Sequence, residues 1–391
     1  MTDRRHLCYV LPEFDPDTDT HYAHTVRLLE ALARHVELHV IVQHAPARPE
    51  VPGAHCVGVQ TARRRPVRLL QLARLLLSAR RHGCRAVYVH YSYSSAVVAA
   101  LITRALGGRV SYWHCGQPTQ FYRRPGDWSW AGLVKTVADE IPLRLVLRLG
   151  HRLVTGTPRM AEYYVREFGV HRHKIAVVPN EIDLRRFAPP ADKTAAKARL
   201  GIDPDRPVVL FIHRVSPRKG AHHLVEIAEL VRGTVPDVLF VVVGDGPYLP
   251  TLVDEVAARG LADTFRLVGP VPNRAIASYY GVADVFLMPS DEEGFPRVLL
   301  EAQAMGVPFV AADVGGVLDI VTPRQAEFVV PRGMREAFAD RVTRLLKDPA
   351  LRGALAAEGL ENVRRFDVDR VVPALIGVLF AARSGMVESP R

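Results

Sequence analysis

Cysteine is scarce in this chain and widely scattered. Its 391 residues include four, Cys8, Cys56, Cys84 and Cys115. No two of them have the C-x2-C spacing of a zinc motif, and they are too sparse for a disulfide framework. The expectation is a reducing, cytoplasmic setting. Long apolar runs are missing too: no stretch of about 18 residues is both apolar and free of charge, which excludes a membrane-spanning helix. The N-terminal Met-Thr-Asp-Arg-Arg leads into a strand-like segment rather than the apolar core of a secretory signal. Short-period repeats and low-complexity tracts are absent. So are a zinc finger, a stacked-aromatic RNA motif and a recognition helix, and nucleic acid is excluded as a partner.

Acid is absent from Thr61–Arg85, and this gap is the most telling one. The segment carries Arg63, Arg64, Arg65, Arg68, Arg74, Arg80, Arg81 and Arg85 beside Leu69, Leu70, Leu72, Leu75, Leu76 and Leu77. It contributes to a lopsided charge. Residues 1–190 hold 27 Lys+Arg against 15 Asp+Glu, and residues 191–391 hold 24 against 26, so the whole excess of +10 lies in the first half. Two readings stay open: a basic amphipathic helix on an anionic membrane surface, peripheral at its inner face, or a crossover helix with arginines on its wet side. Trp128, Trp130 and the run Leu133–Leu149 form a second candidate of the same kind.

What is present is a balance of 48% hydrophobic and 24% charged residues, that of a folded globular protein long enough for two domains. Continuous apolar runs of strand length recur at His6–Pro12, Glu37–Gln43, Ala86–Tyr91, Arg109–His114, His151–Gly156 and Ile175–Pro179. A second set follows at Pro207–His213, Asp237–Gly244, Thr264–Gly269, Asp284–Pro289, Pro308–Ala311 and Glu327–Val330. Helical periodicity separates them, at Ala23–Arg34, Val67–Arg80, Ala221–Val231, Tyr248–Ala258 and Arg297–Met305. Alternation of this kind predicts an α/β fold with parallel sheets buried on both faces. Two sets of about six strands imply two doubly wound units. The Pro-rich, polar segment Phe187–Arg206 reads as the seam between them, and Val371–Arg383 reads as one last helix.

Ligands of open parallel sheets bind at the carboxyl ends of the strands. Four loops there, in the second half, have informative contents. His213-Arg214-Val215-Ser216-Pro217-Arg218-Lys219-Gly220 offers two cations, Arg214 and Lys219, with Lys219-Gly220 expected to open the next helix and form a diphosphate site. Gly244-Asp245-Gly246-Pro247 resembles a nucleotide-binding turn without being G-x-G-x-x-G; a plain turn explains it equally well. Pro289-Ser290-Asp291-Glu292-Glu293-Gly294-Phe295-Pro296 leads into Arg297–Ala302, with Glu293 and Glu301 eight positions apart. An acid on that helix needs a hydroxyl or a cation to meet, and a ribose diol is one candidate. Val314-Gly315-Gly316 closes the set. In the first half, His114 ends a strand where it either meets a sugar or sits satisfied in the core.

Together these motifs resemble glycosyltransferase family 4, the retaining transferases of the glycosyl transferases group 1 with the GT-B fold. The resemblance rests on Arg214, Lys219-Gly220, Gly244-Asp245-Gly246, Gly269-Pro270-Val271-Pro272, Pro289-Ser290 through Glu301-Ala302, Gly306-Val307-Pro308 and Gly315-Gly316. Pro179-Asn180-Glu181-Ile182-Asp183 with Phe187 adds to it. It is strong over residues 175–370 and looser before. It implies two Rossmann-like doubly wound domains facing across a cleft: residues 1–178 for the acceptor, 179–370 for the nucleotide-sugar donor, and 371–391 as a helix and tail crossing back to the first. It implies a hexosyl unit passing from a UDP- or GDP-sugar to a hydroxyl of a glycan, lipid-linked or small-molecule acceptor, with no cofactor and no obligatory metal. Arg214 and Lys219 would bind the pyrophosphate and Glu301 the ribose. Glu293 would face the sugar, with Gly294, Phe295 and Pro296 near its hydroxyls, while Val271 would flank the base and Gly244 line the donor site. His114 would act from the first domain. A sugar-nucleotide epimerase or hydrolase of the same fold, and a silent nucleotide-sugar-binding partner protein, are the alternatives. The sequence departs from the family at Phe14–His21, where a Gly-Gly pair is common, and at Glu181 and Asp319.

Overall fold

The computed structural model describes residues 4–14, 23–45, 49–62, 64–116 and 130–381. The chain forms two units, Met1–Glu181 together with Val368–Arg391, and Ile182–Asp367. Among the described residues the first holds a parallel sheet of seven strands: β1 (His6–Leu11), β2 (Glu37–Val42), β3 (Cys56–Val59), β4 (Ala86–His90), β5 (Arg109–Trp113), β6 (Arg152–Thr155) and β7 (Ile175–Val177), in the order β3-β2-β1-β4-β5-β6-β7. The second holds six: β8 (Val208–Ile212), β9 (Leu239–Val243), β10 (Phe265–Gly269), β11 (Val285–Met288), β12 (Phe309–Ala312) and β13 (Val329–Val330), in the order β10-β9-β8-β11-β12-β13. Both are Rossmann-like orders, reversing direction between β1 and β4 and between β8 and β11. The apolar runs become strands for the reason given: β4, β8 and β9 are buried at every position, because helices cover both faces.

Two expectations are corrected. The first sheet has a strand, β3, that the apolar runs did not announce. Its sequence Cys-Val-Gly-Val lies at the sheet edge and is exposed or half-buried throughout, so no buried run marks it, and its central glycine weakens the strand signal further. The segment 187–206 is no seam. It includes the helix Lys193–Arg199, which packs against the helix Ile276–Val282 of the second unit. Lys193 Nζ lies 2.7 Å from Asp284 Oδ1 and Lys197 Nζ 3.4 Å from Asp284 Oδ2. The chain changes unit earlier, after Glu181, and returns after Asp367. Those two crossing points lie side by side, the Ile182 amide donating to the Phe366 carbonyl at 2.9 Å.

The last helix, Val368–Phe380, belongs to the first unit. Val368, Val371, Val372, Leu375, Val378 and Leu379 recur at helical spacing and join one core with Leu7, Tyr9, Leu29 and Val36. Its final carbonyls, which have no partner within the helix, accept from the guanidiniums of Arg152 and Arg109, at Val378 and Ala381 respectively.

The basic segment forms the helix Arg65–Arg81. Leu72, Leu76 and Ala79 are buried on the sheet, while Val67, Leu69, Leu70 and Leu77 face solvent. Arg63 lies outside the described residues, and the Arg65 side chain is not described. Trp130 opens the helix Trp130–Leu149, whose side chains are described from Glu140 on; Ile141 and Leu145 are exposed there. Trp128 and the loop 15–21 fall outside the described residues. Among the described residues no helix is long and apolar enough to cross a membrane.

Candidate functional site

Loops part where the strand order of a parallel sheet reverses, and the opening they leave is the usual ligand site. In the second unit this point lies between β8 and β11. The loop after β8 turns through a 3-10 segment, Pro217–Lys219, and ends at Gly220 with φ +74°. A Cβ at Gly220 would stand 2.0 Å from the Pro289 carbonyl oxygen, so only glycine lets this turn press against the loop after β11. Lys219 therefore does not open a helix, as the sequence suggested. The left-handed Gly220 breaks the helical run, a second 3-10 turn follows at Ala221–His223, and the helix proper is Leu224–Arg232.

That turn delivers the Lys219 ammonium to Glu293, 2.7 Å from Oε1. His213 Nε2 and Ser290 Oγ lie 3.0 Å from the same oxygen. His213 Nδ1 accepts from the Arg214 backbone N–H at 2.9 Å, which puts the ring proton on Nε2 and makes it a donor to Glu293. Lys219 and Glu293 are each 8% exposed. Burial alone would raise the Glu293 carboxyl, but the Lys219 charge and His213 outweigh it and hold the acid well below the usual carboxylate range. Arg214 is exposed beside this cluster. The result is a buried anion with three donors next to an exposed cation, all at the carboxyl edge of β8 and β11.

The rest of the predicted donor set lies along the same edge. Gly294 N-terminal to the helix Arg297–Ala304 accepts from the Gly316 amide at 3.0 Å. Gly315, at φ +55°, packs so closely that a Cβ would lie 2.0 Å from the Glu293 carbonyl oxygen. The double glycine after β12 thus clamps the loop that carries Glu293. Phe295 is buried with its ring edge-on to Phe366, and Pro296 caps the helix start. Glu301, on that helix, accepts from the Tyr280 hydroxyl at 3.0 Å; the hydroxyl that the sequence called for is supplied within the protein. Burial raises the Glu301 carboxyl, against the pull of Tyr280, Arg297 and Arg186. Gly244 turns the chain out of β9, its amide donating to Gly269 at 2.8 Å, and half-buried Val271 follows β10.

His114 belongs to the first unit and follows β5. It is 7% exposed. Its Nε2 lies 3.0 Å from the Tyr93 hydroxyl, and Nδ1 is hydrogen-bonded to the Tyr164 hydroxyl, which in turn donates to the Gly116 carbonyl at 3.0 Å. The Tyr164 proton is thus committed to Gly116, so Nδ1 carries the ring proton and Nε2 accepts from Tyr93. Burial lowers the imidazole to about 4, leaving it neutral and occupied by two tyrosines.

Residues 192–361 match the family described as Glycosyl transferases group 1, and residues 23–186 match Glycosyltransferase Family 4. The chain belongs to the family 4, group 1 glycosyltransferases. Among its relatives, a D-inositol 3-phosphate glycosyltransferase of Streptomyces bingchenggensis is 34% identical over 60% of this chain and 53% of that protein. One of Xylanimonas cellulosilytica is 36% identical, over 60% and 57%. The chain thus spans about half the length of the curated relatives it matches. Among solved structures, sucrose-phosphate synthase from Thermosynechococcus elongatus superposes with a TM-score of 0.78 at 23% identity, covering 96% of this chain and 98% of that one. Anabaena HepE in complex with UDP and glucose gives 0.74 at 19%, covering 96% and 99%. The fold is therefore that of the GT-B glycosyltransferases, with two Rossmann-like parallel-sheet units.

Against this family pattern, His213 and Ser290 are the members of the Glu293 cluster to which sequence reasoning assigned no role. Both stand inside the motifs quoted above. The signal available was position: each lies just past the end of a strand, β8 or β11, that flanks the reversal of strand order.

Proposed function

We propose that this protein is a retaining glycosyltransferase that moves a hexosyl unit from a UDP- or GDP-sugar to an acceptor hydroxyl. The observation that carries the reading is the buried Lys219–Glu293 pair beside Arg214, at the strand-order reversal of the second unit. Breaking the bond between sugar and diphosphate leaves negative charge on the departing nucleotide. Fixed cations lower that barrier because they need no reorganisation as the charge develops. Arg214 offers an exposed guanidinium to the diphosphate. Lys219 is aimed by Glu293 Oε1 and has three N–H bonds to distribute. Glu301, steadied by Tyr280, takes the ribose hydroxyls; Val271 and Gly244 flank the nucleotide, and Gly294, Phe295 and Pro296 present backbone groups to the sugar. With two cations at the diphosphate, the reaction needs no metal. His114 serves the acceptor half if Tyr93 yields its place on Nε2 to a sugar hydroxyl. Exposed Leu69, Leu70 and Leu77, set among arginines, suit a lipid-linked acceptor at an anionic membrane surface.

The test is a panel of UDP- and GDP-hexoses in thermal-shift and turnover assays, with glycan, inositol-type and lipid-linked hydroxyl acceptors, the last in anionic vesicles. A bound donor at 100 times its Kd raises stability by about 2.7 kcal/mol. One donor should stabilise wild type and not Arg214→Ala, and NMR of the product should show the donor's own anomeric configuration. Donor consumed without any acceptor product would instead indicate a hydrolase or epimerase. No stabilisation by any member of the panel would overturn the donor reading.

A further inference from the structure

The amino-terminal edge of the first sheet, far along its strands from the carboxyl ends where ligands bind, gathers an unusual set of side chains. His6 begins β1, and His39 lies on β2 opposite Cys8 and Cys56 of its two neighbouring strands. Residues in register on neighbouring parallel strands point to the same face, and His6, two positions before Cys8, points there too. The helix Arg65–Arg81 crosses that face and ends in a tight turn, with the His82 amide bonded to Ser78, Gly83 to Arg80 and Cys84 to Ala79. The turn lays Cys84 down over the same strands. One ligand atom each from His6, His39 and Cys84 lies within 4.8 Å of the other two.

We propose that His6, His39 and Cys84 form a binding site for a divalent transition-metal ion of the zinc class. Three observations support it. Among the described residues, Nδ1 of His6 and Nε2 of His39 are buried from solvent without a hydrogen-bond partner, a costly condition for polar nitrogens unless something takes them up. His39 is 4% exposed and Cys84 2%, with His6 half-buried beside them, so the three donors converge largely out of solvent between the strand edge and the turn. The donor types also agree with one ion class, since imidazole with thiolate selects zinc-like metals over calcium or magnesium.

The geometry needs little adjustment. Bond lengths of about 2.0 Å to nitrogen and 2.3 Å to sulfur set tetrahedral donors roughly 3.3–3.5 Å apart, within reach of side-chain rotation from the observed spacing. On binding, the Cys84 thiol gives its proton to bulk water and the thiolate bonds the ion. His82, its ring centroid 5.7 Å from that of His39, is the candidate for the fourth position: its Nδ1 is 2.8 Å from the Ser78 carbonyl oxygen and donates to it, leaving a lone pair on Nε2. The ion would tie β1, β2 and the turn before β4 together, an anchor for the first unit that takes no part in transfer. The second unit has a comparable trio, His222, His223 and Asp291, but Arg335 Nε donates to His223 Nδ1 at 2.9 Å. That bond puts the proton on the Nε2 facing Asp291, so His223 has no lone pair there for a metal.

The experiment titrates Co2+ and Zn2+ into the full chain after EDTA treatment. Wild type should bind one Co2+ with an intense near-ultraviolet thiolate-to-cobalt band. Saturating Zn2+ should raise Tm by about 5 °C or more. Cys84→Ser should lose the band, and His39→Gln should weaken Co2+ binding at least tenfold. Cys56→Ser should keep the band, with far-ultraviolet circular dichroism confirming the fold of each variant. If Cys84→Ser does not fold, zinc-edge X-ray absorption on wild type decides, since the site requires one sulfur among nitrogen neighbours. A missing band in wild type, a band that survives Cys84→Ser or vanishes with Cys56→Ser, or a shell without sulfur would each overturn the proposal.

Discussion

Glu293 Oε1 accepts from three donors, and each constrains the site differently. Lys219 supplies charge, Ser290 fixes the carboxylate locally, and His213 ties it to the backbone of Arg214 through its second nitrogen. Removing one partner of a buried pair leaves the other charge uncompensated. Lys219→Ala should therefore lose transfer on the order of 100-fold or more and lose stability of about 3 kcal/mol. Single-turnover assays on the folded variant measure the first, and near-wild-type rates would remove Lys219 from leaving-group stabilisation. His114 makes a separate prediction. Its folded value of about 4 lies below the 6.5 of the unfolded chain, so the unfolded state binds more protons between these values. The stability it contributes is complete above pH 6.5 and is lost as pH falls towards 4, by at most about 3 kcal/mol. Urea unfolding across this range should show a shallower acid slope for His114→Gln; an unchanged slope would mean that another group carries the effect.

Among the elements, the turns constrain the site more tightly than the helices do. The loop after β11 is held on one side by the 3-10 turn at Gly220 and on the other by Gly315. Both glycines adopt positive φ with a carbonyl oxygen where a Cβ would go. Gly315→Ala should cost about 2 kcal/mol or more from strain and displaced backbone. Because the displaced atom belongs to Glu293, donor affinity should fall with it. Calorimetry on this variant and on Gly333→Ala, where a Cβ meets nothing within 4 Å, separates the two contributions: both variants bear positive φ, and only the first moves Glu293. Equal donor affinity in both would refute the clamp.

The whole molecule is two units of unequal independence. The second, Ile182–Asp367, is one continuous segment with its own sheet and the complete Lys219–Glu293 cluster. The first is closed by a helix from the far end of the chain, whose Val371, Val372, Leu375 and Val378 are buried among strand residues. Each such side chain contributes about 1.5–3 kcal/mol by burial, and together they rival the 5–15 kcal/mol of a typical domain. Residues 182–367 expressed alone should give a cooperative thermal transition, whereas residues 1–181 alone should bind the dye ANS and lack one. A cooperative transition in residues 1–181 alone would show that the helix is dispensable.

Read as sequence alone, the chain determined its fold class and the position of most donor-site candidates, because both follow from local order. Buried parallel strands appear as continuous apolar runs, and chemistry-bearing residues fall directly after them. What lies across the chain was not legible. The edge strand β3 has no buried run to mark it, and the segment 187–206 looks like a linker until Lys193 and Lys197 meet Asp284. The Glu293 donors come from positions 213, 219 and 290, and the His6, His39 and Cys84 trio spans the same unit with no motif spacing. Only the sheet order, by setting β8 beside β11 and β1 between β2 and β4, brings these distant residues together. Local propensity writes the elements into the sequence, but contacts between distant residues exist only once the strands have paired.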